Sequence, residues 1–244
     1  MRKSRQARVH RDANTDDPNS ATCATLQQPQ DNVEELIKGP SEDPRRLNCR
    51  FNLETIEAHV KAYADALSRA LLSIDWRQLD LVIAAIEGVR MRQARLWVAG
   101  NGGSAAIADH LLCDWVKGTF TPLQTPIHVH SLVSNTALLT ACANDFGYEV
   151  SFSRQIEMQA QPGDILICIS SSGNSANILA ALRQASSMGL KTIALTGFSG
   201  GEAARLADVS LHVAADNYGV VEDCHQILMH NIAQYIFGRS VRGA

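Results

Sequence analysis

Two stretches decide the fold: AGNGGSAAIADHLLCDW (Ala99–Trp115) and ICISSSGNS (Ile167–Ser175). Each reads as an apolar strand, a loop of Gly, Ser and Asn, and then a helix start. A helix N-terminus offers unpaired N–H groups and the positive end of a dipole, and small residues let the backbone approach a phosphate. The second loop adds the hydroxyls of Ser170, Ser171, Ser172 and Ser175. Neither loop has the GxxxxGK[ST] pattern, and GNGGSA lacks the GxGxxG spacing with an acidic residue about 20 positions on. The pair therefore favours a phosphate carried on a sugar over one carried on a nucleotide.

Outward from these loops, strands and helices alternate. Arg95–Ala99, Pro126–Leu132, Asp164–Ile169, Lys191–Thr196 and Val209–Ala214 read as strands. Ser104–Lys117, Asn135–Ala143, Tyr148–Ala160, Ser175–Met188 and Val221–Gly238 read as helices, and a short helix follows the Gly-rich turn GFSGG. The rhythm predicts an α/β fold: one doubly wound parallel sheet with helices on both faces, in three α/β/α layers. Asp164–Ile169 is apolar throughout, as expected of a strand covered on both faces. Ligands of such sheets bind beyond the carboxyl ends of the strands, where both loops lie. Two helices precede the sheet. Ile56, Val60, Tyr63, Ala64, Leu67, Leu71 and Leu72 mark the apolar face of the first. The second runs from about Asp75, a candidate N-cap, to Arg92, with Leu79, Val82, Ile83, Ile86 and Val89 on one face. Residues 1–50 are rich in Gln, Asn, Asp, Pro and Arg and read as a disordered or variable tail, leaving 51–244 as the folded domain.

The chain has 244 residues, 45% hydrophobic and 19% charged, as in an ordinary globular protein. A net charge of −3 provides no large positive field, so neither a nucleic acid nor a membrane surface is expected as a partner. No apolar run approaches the roughly 18–20 residues of a membrane span. The basic opening MRKSRQARVHRD lacks the apolar core of a secretory signal. The six cysteines form no CxxC pair and read as reduced, buried thiols of a cytoplasmic protein; Cys113 and Cys224 are assigned to packing.

His110 and Asp114 stand four apart on the first loop's helix, which puts both on one face. The last helix carries Glu222, Asp223, His225 and His230. His225 lies about 140° around the helix from His230, so the two do not share a ligand.

These motifs together resemble the SIS (sugar isomerase) domain family, in its phosphoheptose isomerase branch. The resemblance runs from about Ile56 to Phe237. It is carried by GNGGSA, His110 with a carboxylate at 114, ANDFGYEVSFSRQI from Ala143, SSSGNSANILAAL from Ser170, KTIALTG from Lys191 and EDCHQILMH from Glu222. It implies a sugar-phosphate site of Asn101, Gly102, Gly103, Ser104, Asp114, Asn144, Asp145, Ser170, Ser171, Ser172, Ser175 and Glu222. It also implies a zinc site at His110, Asp114, Glu222 and His230, with Asp114 in the place of the catalytic base and His230 in that of the acid. The family pattern has Glu at 114 and Gln at 222. The Asp is one methylene shorter and the Glu adds a charge. Both ligate through oxygen, and the more anionic set favours a divalent cation and shifts preference toward Mn²⁺ or Fe²⁺.

The resemblance implies a cytoplasmic homotetramer that converts sedoheptulose 7-phosphate into a mannoheptose 7-phosphate by metal-assisted acid–base chemistry. The shorter Asp114 leaves open an isomerase of another ketose phosphate. A non-catalytic sugar-phosphate-binding or replication-initiator-associated regulatory protein is the alternative from a different class.

Overall fold

The computed structural model describes residue 51 and residues 54–242; the tail expected over residues 1–50 lies outside the described residues. Two helices come first, α1 (Ile56–Leu72) and α2 (Trp76–Arg92). Then follow β1 (Arg95–Gly100), α3 (Gly103–Gly118), β2 (His128–Ser131), α4 (Thr136–Phe146), α5 (Ser151–Gln159) and β3 (Ile165–Ser170). The chain continues through α6 (Ala176–Ser187), β4 (Lys191–Thr196), α7 (Ala203–Leu206), β5 (Val209–His212) and α8 (Tyr218–Arg242). All strand pairs are parallel, in the order β2-β1-β3-β4-β5.

Alternation within each strand assigns the two faces. Leu96 and Val98 of β1 and Ile165, Ile167 and Ile169 of β3 pack with α2, α3 and α8. Trp97, Ala99, Leu166 and Cys168 pack on the opposite face with Phe152 and Ile156 of α5 and Ile178 and Leu182 of α6. Every residue of β3 is buried, the expected signature of a central parallel strand. The three-layer α/β/α reading holds.

Element ends shift where local chemistry intervenes. Tyr148–Ala160 does not form one helix: a 3₁₀ turn over Tyr148–Val150 precedes α5. Asp164 precedes β3 instead of opening it. It is buried, and its carboxylate accepts from the Arg95 backbone N–H at 2.8 Å and from Trp97 Nε1 at 2.9 Å, which ties the start of β1 to β3. Asp75 caps α2 as expected, accepting from Arg77 N.

The apolar face of α1 divides. Tyr63, Leu67 and Leu71 pack against the core, while Ile56, Val60, Ala64 and Leu72 remain exposed. The stripe is wider than the arc that α8, its packing partner, can cover. Among the described residues no helix is long and apolar enough to cross a membrane.

Candidate active site

Strand order reverses between β1 and β3, because the chain leaves β1 for β2 on one side and returns to β3 on the other. That switch point opens a crevice at the carboxyl ends of the two strands. The loop after β1 contributes Asn101 and Gly102, and the loop after β3 contributes Ser171–Ser175. A cavity of about 190 Å³ lies there, lined chiefly by Asn101, Ser104, Ser170–Ser172, Ser175, Tyr218 and Glu222. It is smaller than the roughly 300–1,000 Å³ of a whole-ligand cleft and suits one end of a ligand.

Three helices begin at this cavity. Gly103 opens α3, Ser175 precedes α6 as its N-cap, and Tyr218 opens α8. Their free N–H groups and dipoles converge where an anion would sit. The serines add hydroxyls. Ser170 Oγ accepts from Gly173 N at 3.2 Å. Ser171 Oγ is buried, lines the cavity and has no hydrogen-bond partner among the described residues. Buried hydroxyls are ordinarily satisfied, so this one is available to an oxygen entering the cavity.

The serine loop is held by backbone contact with the Gly-rich turn after β4. Gly197 N donates to Ser171 O at 2.9 Å and Ala203 N to Gly173 O at 2.9 Å. Gly173 (φ +67°) and Gly201 (φ +58°) meet there, and a Cβ on either would overlap the other segment's backbone. Asn101 is fixed by a reciprocal amide pair with Asn177, both bonds 2.9 Å, and its Oδ1 also accepts from Tyr148 Oη at 2.8 Å.

Farther along α3 and α8, which pack together, a second group forms. His110 Nε2 lies 3.5 Å from Asp114 Oδ1, and His230 Nε2 lies 3.2 Å from Asp114 Oδ2. The two imidazole rings meet edge to face at 5.0 Å. One donor atom from each of the three residues lies within 4.8 Å of the others. Gln226 completes the group: its amide nitrogen is 2.9 Å from His110 Nδ1 and 3.0 Å from His230 Nε2. At 1.5 Å per residue, His110 stands about 10 Å along α3 from the cavity. The phosphate end and the reactive end of an extended sugar phosphate would be separated in the same sense.

The remaining expected residues divide. Glu222 does not join the histidine group. It lines the cavity, with its carboxylate so close to Gly103 that a Cβ there would overlap it. Burial, reinforced by the charge of Asp223, raises the Glu222 carboxyl above the usual range, which eases its place beside an anion. Asn144 and Asp145 are exposed at the end of α4, bonded to each other at 2.9 Å, and are not among the cavity's lining residues. His225 turns away from His230, fully buried, with Nε2 3.3 Å from the Thr196 carbonyl. Cys224 is buried as expected, but Cys113 is exposed. Leu111 and Trp115 take the inward arc of α3, and Cys113 falls outside it.

Four participants were missed. Tyr148 and Asn177 stand inside the quoted motifs, but only their tertiary bonds to Asn101 mark them. Tyr218 was placed before the last helix, which begins three residues earlier than its apolar pattern. Gln226 shares one helix face with Glu222 and His230, at successive steps of four, and that spacing was the available signal.

Comparisons with known proteins identify the family. The SIS domain family matches residues 61–197. The probable phosphoheptose isomerase of Thermoplasma acidophilum is 37% identical over 176 residues, covering 72% of this chain and 96% of that protein. The phosphoheptose isomerase of Helicobacter pylori is 34% identical over 183 residues, covering 75% and 94%. Among solved structures, the phosphoheptose isomerase of Neisseria gonorrhoeae superposes with a TM-score of 0.68 at 29% identity, over 75% of this chain and 97% of that one. That of Francisella tularensis gives 0.70 at 27% identity, over 76% and 98%.

Proposed function

The chain belongs to the SIS domain family, among the phosphoheptose isomerases, and from that membership we propose that it converts D-sedoheptulose 7-phosphate into D-glycero-D-manno-heptose 7-phosphate. The observation that carries the reading is the pairing of two groups along α3 and α8. A hydroxyl-lined anion cradle lies at one end, and a carboxylate between two histidines lies farther on.

The phosphate sits in the cradle, bound by Ser171, Ser172, Ser175 and the N–H groups at Gly103 and Ser104. The acyclic ketose extends toward Asp114. The Asp114 carboxylate takes a proton from C1, and an enediolate forms as the C2 carbonyl gains electron density. Protonation at C2 then gives the aldose. His230, 3.2 Å from Asp114, carries the proton exchanged between the C1 and C2 oxygens on the ring nitrogen that a bound cation leaves free. Asn144 and Asp145 belong to the proposed sugar-binding set as well, from the far end of α4.

His110, Asp114 and His230 form a donor set that suits Zn²⁺, with Mn²⁺ or Fe²⁺ as alternatives. A divalent cation held there would polarise the carbonyl and stabilise the enediolate. The proposed assembly is a homo-oligomer, a tetramer by likeness to the family. The exposed Ile56, Val60 and Leu72 on α1 support this, since a second subunit would cover them. The free thiols at Cys113, Cys142, Cys168 and Cys224 support a cytoplasmic location.

Turnover of sedoheptulose 7-phosphate by the purified protein, followed by chromatography of the aldose, tests the reading. Asp114→Asn is expected to lower kcat by about 10²–10⁴-fold, the span of general-base catalysis. A parent protein that binds the ketose phosphate without turning it over would replace the isomerase with a binding protein.

A further inference from the structure

The family pattern puts the fourth metal position at 222, but the fold brings a different side chain to the two histidines. We infer that Gln226 is the fourth donor to the divalent cation and that Glu222 serves the sugar-phosphate cradle instead. The inference rests on the metal reading above and identifies which residue completes it.

Proton counting carries the argument. His230 Nε2 lies 3.2 Å from an acceptor, Asp114 Oδ2, and 3.0 Å from a donor, the Gln226 amide nitrogen. One ring nitrogen carries either a proton or a lone pair. With a proton it serves Asp114 and opposes the amide N–H; with a lone pair it serves Gln226 and opposes the carboxylate. His110 meets the same two partners with separate nitrogens, Nε2 toward Asp114 and Nδ1 2.9 Å from the amide, so it is satisfied while the amide nitrogen faces it. Turning the amide over, a change that its near-symmetric shape allows, brings Oε1 to both histidines. His230 Nε2–H then serves both acceptors, but a neutral His110 lacks the second proton it needs to face Asp114 and the amide oxygen together. A divalent cation satisfies all four at once, and this donor chemistry fits Zn²⁺.

Glu222 is placed differently. It stands one turn earlier on α8, about 6 Å along the axis. There it lies against Gly103 and among the cavity-lining serines. It is absent from the close group that His110, Asp114 and His230 form.

Zn²⁺ affinity of the metal-stripped full chain, measured by competition with a chromophoric chelator, tests the assignment. Co²⁺ absorption spectra of the same proteins report the donor set. Gln226→Met keeps length and removes the oxygen; a loss of at least about tenfold in Zn²⁺ affinity is expected, the scale seen when a metal site loses a supporting group. Gln226→Glu restores an oxygen and is expected to bind at least as tightly as the parent. Glu222→Gln is expected to stay within about threefold, with an unchanged Co²⁺ spectrum. Gln226→Met at parental affinity, with Glu222→Gln weakened, would return the fourth position to Glu222. A parent that binds Zn²⁺ no better than His110→Ala would overturn the metal reading itself.

Discussion

Ser171→Ala should move stability and binding in opposite directions. Ser171 is 6% exposed and its hydroxyl has no hydrogen-bond partner among the described residues, so no internal bond is lost when it is removed. Truncation instead relieves the desolvation of a buried polar group left unpaired, worth about 1–3 kcal/mol. The variant should therefore melt no lower than the parent, and up to several degrees higher. Binding is the opposite case. A hydrogen bond to a charged oxygen is worth about 1.5–3 kcal/mol, which is roughly a 10- to 150-fold increase in Kd. Calorimetric titration with sedoheptulose 7-phosphate and thermal unfolding of the same samples read both quantities. A Ser171→Ala protein that loses stability and keeps its affinity would refute the reasoning, because the hydroxyl would then belong to the scaffold.

Two further outcomes follow from the scaffold around the site. Burial holds His225 down to about 4, against a partly offsetting hydrogen bond that its Nε2 donates to the Thr196 carbonyl. A depressed histidine contributes stability that is full above its unfolded value near 6.5 and lost as pH falls toward 4, about 3 kcal/mol in all. Urea unfolding of the parent should weaken across that window, and His225→Gln should flatten the change. Gly201→Ala puts a Cβ at φ +58° into the Ser172 carbonyl. It should cost at least about 1 kcal/mol and raise KM for the ketose phosphate by displacing the serine loop, read by thermal melting and initial rates. An unchanged KM would detach that turn from the site.

The sheet was legible because its central strands β1, β3 and β4 are apolar on both faces and are followed by Gly- and Ser-rich loops. Lys191–Thr196 came out with its observed bounds, since apolar periodicity and flanking breakers coincide there. The loops that line the cavity were equally readable, because loop composition at strand ends is local. What the sequence concealed depends on distant partners. The backbone contact of Gly173 with Gly201, the bond from Tyr148 to Asn101 and the division of α1 into covered and exposed arcs leave no periodic trace. The last helix shows the limit most clearly. Glu222, Gln226 and His230 share one face, and spacing alone does not say which of the first two faces the histidines.

Proton transfer at carbon is the center of the account, and the product formed in D₂O tests it most directly. Asp114 is about a third exposed, at 32%, so a proton taken from C1 should exchange with solvent before it is returned. Proton NMR of the aldose made from sedoheptulose 7-phosphate in D₂O should show deuterium at C2. An aldose carrying only protium at C2 would contradict transfer through Asp114 and indicate that hydrogen passes directly between the two carbons.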